Sequence, residues 1–123
     1  MISIIDDDPM MLEATGDLVR SLGYDASTFA SAEDFLGSDL VNNTSCVISD
    51  VRMPGLSGVE LQSALTAQGN DTPIIFMTAW PDEGIRRRAL EAGAVGYLTK
   101  PFDEDRLSRC LEMALQTGNR RNI

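Results

Sequence analysis

The sequence predicts an α/β domain, a parallel sheet with helices packed on both faces. Five apolar runs alternate with five helical patterns along the chain. Four of those runs stop at a charged or hydroxyl side chain. These are Asp6-Asp7-Asp8 after Ile2–Ile5, Asp50 after Cys46–Ser49, Thr78 after Ile74–Met77 and Lys100 after Val95–Thr99. Open α/β sheets bind ligands at the carboxyl ends of their strands, so these side chains are expected in one crevice. With 123 residues, 43% of them hydrophobic, the chain makes one domain with a real core.

The elements follow in order. Residues 2–6 form the first strand, and Pro9 opens a helix carrying Met11, Leu12, Thr15, Leu18, Val19 and Leu22 at helical spacing. Gly23 stops it. Tyr24–Phe29 is a second strand, less apolar and so nearer a sheet edge. Ser31 starts a short helix with Asp34 three residues on, and residues 38–45 are a polar loop. Cys46–Ser49 is the third strand, followed by a Met53-Pro54-Gly55 turn and a Ser57/Glu60 capping box. Gly69-Asn70-Asp71 breaks the third helix, and Pro73–Met77 is the fourth strand. Asp82 or Glu83 opens a helix with Ile85, Ala89 and Ala92, which Gly93 ends. Val95–Thr99 is the fifth strand. Asp103, Glu104 and Asp105 then favour the start of a last helix, whose apolar face is Leu107, Cys110, Leu111, Ala114 and Leu115. The domain is read as residues 1–117, with 118–123 as a tail or linker remnant.

Composition excludes several chemistries. The absence of histidine rules out a Ser-His-Asp triad, a histidine zinc site and phosphorylation on the chain's own histidine. The net charge of −9 repels nucleic acid and anionic membrane unless the basic residues are segregated. Cys46 and Cys110 read as two small apolar core residues in a reducing compartment. No stretch is long enough to span a membrane and no leader precedes the first strand, which points to a cytoplasmic chain.

Three adjacent carboxylates at Asp6–Asp8 repel one another, and a cation relieves that repulsion. Taken alone, such a run serves equally as a helix cap, Asp8 before Pro9 above all. Asp50 can ligate a metal or attack a phosphoryl group, or simply begin a loop. The Pro-Gly turn beyond it brings the Arg52 carbonyl near the strand end. The Thr78 hydroxyl can donate to a phosphoryl oxygen, although threonine also ends strands for its β propensity alone. Lys100, the only lysine beside nine arginines, can neutralise a phosphoryl group. Each signal is weak by itself, and their joint position at successive strand ends is strong.

Those residues resemble the receiver domain of bacterial two-component response regulators over essentially the whole chain. The match rests on Asp6-Asp7, on Ser49-Asp50-Val51-Arg52-Met53-Pro54-Gly55-Leu56-Ser57-Gly58, on Met77-Thr78-Ala79 and on Gly96-Tyr97-Leu98-Thr99-Lys100-Pro101-Phe102. The resemblance implies a flavodoxin-like (βα)5 fold with strand order 2-1-3-4-5. It implies that Asp50 accepts a phosphoryl group from a histidine kinase or a small phosphodonor. Asp7, Asp50 and the Arg52 backbone carbonyl would hold Mg²⁺, with Asp6 close by, and Lys100 would pair with Asp50. Pro101 would follow a cis peptide bond. Thr78 and Tyr97 would form a switch, with Tyr97 turning inwards and reshaping the face of helix 4, strand 5 and helix 5.

Such a chain is a signalling switch that catalyses only its own phosphorylation and dephosphorylation. Its partners would be a sensor histidine kinase and a transcriptional output domain absent from these residues, through which alone it would reach DNA. Arg86-Arg87-Arg88 and Asp103-Glu104-Asp105 read either as two solvated charged faces, the more common case, or as complementary charge for a phosphorylation-dependent homodimer through helix 4 and helix 5. The alternative is a small phosphohydrolase of the haloacid-dehalogenase type, suggested by Asp6-x-Asp8. That class needs a further acidic pair beyond the lysine, and only helix-starting acids follow Lys100.

Overall fold

A computed structural model describes residues 1–100 and 103–121, with side chains described through residue 116. Five strands, β1 (Ile2–Ile5), β2 (Ala26–Phe29), β3 (Cys46–Asp50), β4 (Ile74–Thr78) and β5 (Gly96–Thr99), alternate with five helices. These are α1 (Pro9–Ser21), α2 (Ala32–Leu36), α3 (Gly58–Ala67), α4 (Glu83–Glu91) and α5 (Glu104–Arg121). The strands are all parallel in the order β2-β1-β3-β4-β5. The expected flavodoxin-like architecture is the observed one.

The sheet divides the core in two. On one side Ile2, Ile4, Cys46, Ile48, Ile75 and Met77 meet Val19 of α1 and Leu107, Leu111 and Ala114 of α5. On the other, Ile5, Val47 and Phe76 meet Phe35 of α2, Leu61 and Leu65 of α3 and Ala89 of α4. Strand alternation makes both faces of β1, β3 and β4 apolar, which is why those strands read as continuous hydrophobic runs. β2 is only partly buried and lies at an edge, as its composition predicts.

Local chemistry sets the element ends. The Asp8 carboxylate caps α1 by accepting from the N–H groups of Met10 and Met11. Ser57 and Glu60 form the full capping box of α3, whereas at α2 only Ser31 caps, accepting from Asp34 N–H. At the end of α1, Gly23 N–H reaches the Arg20 carbonyl and Tyr24 N–H the Val19 carbonyl, a closure that α3 and α4 repeat. It requires the left-handed φ of 97° at Gly23. It also explains why β2 starts at Ala26 and not Tyr24: the Tyr24 amide is already committed to the helix end. α5 continues through Arg121, into the segment read as a tail. The expected turn and cis bond at Pro101 lie outside the described residues.

The chain passes close to itself at Gly58, where α3 leaves the loop that follows Asp50. A Cβ there would collide with the Asp50 carbonyl oxygen and lie 3.0 Å from the Phe76 ring. Gly58→Ala is therefore expected to cost about 1–3 kcal/mol by overpacking. Urea denaturation reads this directly, and a wild-type midpoint would show that the loop yields freely.

Candidate functional site

Two strand ends bring the acidic residues together. β1 delivers Asp6 and Asp7, and the neighbouring β3 ends in Asp50. One carboxylate oxygen from each of Asp6, Asp7 and Asp50 lies within 4.8 Å of the others. Asp6 is fully buried, Asp50 buried and Asp7 exposed, so the cluster opens to solvent on one side. Lys100, just past β5, spans it. Its Nζ donates to Asp6 Oδ2 at 2.9 Å and to Asp50 Oδ2 at 3.0 Å. The other oxygens are also held: Asp6 Oδ1 accepts from Asp8 N–H at 3.0 Å, and Asp50 Oδ1 from Arg52 N–H at 3.2 Å.

Burial pushes the Asp6 carboxyl above its ordinary range; the Asp8 N–H and Lys100 oppose that rise, and the Asp50 charge adds to it. Burial also pulls on the Lys100 ammonium, but its hydrogen bonds to Asp6 and Asp50 outweigh that and hold it above its ordinary value. Three carboxylates around one ammonium leave two negative charges unbalanced. An all-oxygen donor set with that surplus fits a hard divalent cation such as Mg²⁺.

Thr78 ends β4 beside β3, one residue past the Met77–Asp50 register pair, and is buried. Its Oγ1 accepts from Trp80 N–H at 3.0 Å, leaving the hydroxyl proton for another partner. Across β4 and β5, Lys100 N–H donates to the Thr78 carbonyl at 2.7 Å, so these two residues share a backbone tie. Tyr97 lies on β5, opposite Phe76. Its hydroxyl is already enclosed and, among the described residues, has no hydrogen-bond partner. Asp8 joins neither the cluster nor Lys100; it is the α1 cap.

Two contacts escape sequence reasoning. Lys100 holds Asp6 as well as Asp50, across 94 residues of chain. Glu33 of α2 reaches the loop after Asp50, its Oε2 accepting from Leu56 N–H at 3.4 Å. No periodicity or motif signals either contact. The cysteines are free; Cys46 is fully buried, which pushes its thiol up to about 12, and Cys110 is half-buried.

The model of the response regulator receiver domain matches residues 2–112. The chain belongs to that family. This receiver domain is 40% identical over 115 residues to the transcriptional regulatory protein FixJ of Bradyrhizobium diazoefficiens, covering 94% of the chain and 56% of FixJ. It is 41% identical over 116 residues to the response regulator protein TodT of Pseudomonas putida, covering 94% of the chain and 51% of TodT. The chain thus spans about half the length of these curated relatives. Among solved structures, the response regulator StyR superposes with a TM-score of 0.90 at 40% identity, over 98% of this chain and 61% of that one. Receiver domains are signalling switches and not classical enzymes, and the phosphohydrolase alternative finds no support. No helix among the described residues is long and apolar enough to cross a membrane.

Proposed function

We propose that Asp50 accepts a phosphoryl group from the phosphohistidine of a sensor kinase. A carboxylate oxygen of Asp50 attacks phosphorus, the P–N bond breaks, and the imidazole nitrogen leaves with the electron pair. The single observation that carries this reading is Lys100 Nζ bridging Asp50 and Asp6 at the strand ends, beside Asp7. Lys100 holds the Asp50 carboxylate before transfer and neutralises phosphoryl oxygens during it. Asp6, Asp7, Asp50 and the Arg52 carbonyl would hold Mg²⁺, which when bound adds positive charge against those oxygens. The Thr78 hydroxyl donates to the phosphoryl oxygen, giving up its place beneath the Trp80 N–H. That movement, relayed to Tyr97 on the adjacent strand, biases the α4–β5–α5 face between two states.

In this reading the chain is one module of a longer, cytoplasmic transcriptional regulator, as FixJ is a transcriptional regulatory protein. Exposed Arg86, Arg87 and Arg88 on α4 and exposed Asp103, Glu104 and Asp105 at the start of α5 support a phosphorylation-dependent dimer. Acetyl phosphate with Mg²⁺, read by intact mass, tests the site. One added phosphoryl group per chain is expected, and none when a chelator removes the metal; uptake that ignores the chelator would refute the metal assignment. Sedimentation of the same phosphorylated sample is expected to show dimer, and a monomer at high concentration would refute that interface.

A further inference from the structure

The loop from Val51 to Ser57 carries the Arg52 carbonyl and connects Asp50 to α3. Val51 and Met53 anchor it in the core, and the turn at Pro54 and Gly55 between them and α3 is exposed. An open groove of about 550 Å³ runs along Met53, Pro54 and Gly55 towards Val59 and Ile85. On the other side stands α2, which is firmly seated. Phe35 and Ala32 are fully buried, and the Phe35 ring meets Phe29 edge-on, centroids 5.3 Å apart. Glu33 projects from this platform. Its Oε2 accepts from Leu56 N–H and lies so close over Gly55 that a Cβ at that position would collide with it. Gly55 has a φ of 74°, so the backbone turn and the absent side chain together let the carboxylate in.

We propose that Glu33 is a positioning residue for the cation site: it latches the loop and thereby fixes where the Arg52 carbonyl sits. This deepens the site reading above and rests on it. Glu33 touches neither the acidic cluster nor Lys100 among its described hydrogen bonds and ion pairs. It acts through backbone geometry. Groups that hold metal ligands in place from outside the ligand set are typically worth about 10–100-fold in metal affinity or activity.

The test uses the whole chain and Mg²⁺ alone. The rise of the unfolding midpoint along a Mg²⁺ titration gives the half-saturating concentration, because binding to the folded state raises stability. Glu33→Ala is expected to raise that concentration by about 10-fold, while phosphorylation by acetyl phosphate at saturating Mg²⁺ stays at the wild-type level. Glu33→Gln keeps a carbonyl oxygen for Leu56 N–H and is expected to recover most of the affinity. Wild-type Mg²⁺ affinity in Glu33→Ala overturns the proposal. Equal loss in the alanine and glutamine variants also overturns it, since that would mean a remote charge attracting the cation and no latch. A wild-type chain that shows no Mg²⁺ response at all defeats the cation site itself, a result distinct from either.

Discussion

Asp50→Asn is expected to take up no phosphoryl group from acetyl phosphate at any Mg²⁺ concentration, and to remain folded. The asparagine has the shape of the aspartate, and its carbonyl oxygen still accepts from Arg52 N–H, the bond that Asp50 Oδ1 makes at 3.2 Å. What it lacks is the anionic oxygen that attacks phosphorus. Intact mass reads the first expectation and a denaturation curve the second. Neighbouring Asp6 and Asp7 make the experiment demanding, because both contribute oxygens within the same 4.8 Å cluster. Asp6, however, is fully buried, with one oxygen on Lys100 and the other on Asp8 N–H. Asp7 is exposed and does not contact the ammonium among the described ion pairs. A phosphoryl group appearing on the Asp50→Asn chain would mean that another residue is the acceptor.

Lys100→Ala is expected to slow phosphorylation by acetyl phosphate by about 10²–10³-fold, the usual effect of losing one charge-stabilising donor. Its effect on the cation should run the other way. The cluster passes from two unbalanced negative charges to three, so Mg²⁺ is expected to bind at least as well as before. In metal-free buffer the same change leaves the fully buried Asp6 without its ammonium, and the unfolding midpoint falls. Slow chemistry combined with undiminished Mg²⁺ binding is the signature of an amine that acts on the phosphoryl group. A wild-type rate in this variant would show that the lysine serves packing of the acids alone.

How much of this could be read beforehand depended on distance along the chain. The Ser57/Glu60 capping box, the Asp8 cap and the apolar strands are local matters, decided within a few residues, and sequence patterns record them. The convergence of Asp6, Asp50 and Lys100 followed from a topological rule about strand ends joined to the family resemblance. Pairwise geometry did not follow. That one amine would hold two acids, or that Glu33 would settle on the turn at Gly55, depends on packing angles that no spacing encodes. Tyr24 suits a strand by composition, yet its amide closes α1 and β2 starts only at Ala26. α5 runs past Gly118 to Arg121, since a lone glycine costs a helix only about 1 kcal/mol.

The closures that end α1, α3 and α4 all fall at the amino ends of the strands, across the sheet from the aspartates and the lysine. They are made by main-chain atoms and a glycine each, with no ionisable group enlisted. Side-chain changes along that border, the three glycines excepted, are therefore expected to leave the charge balance of the opposite border as it is.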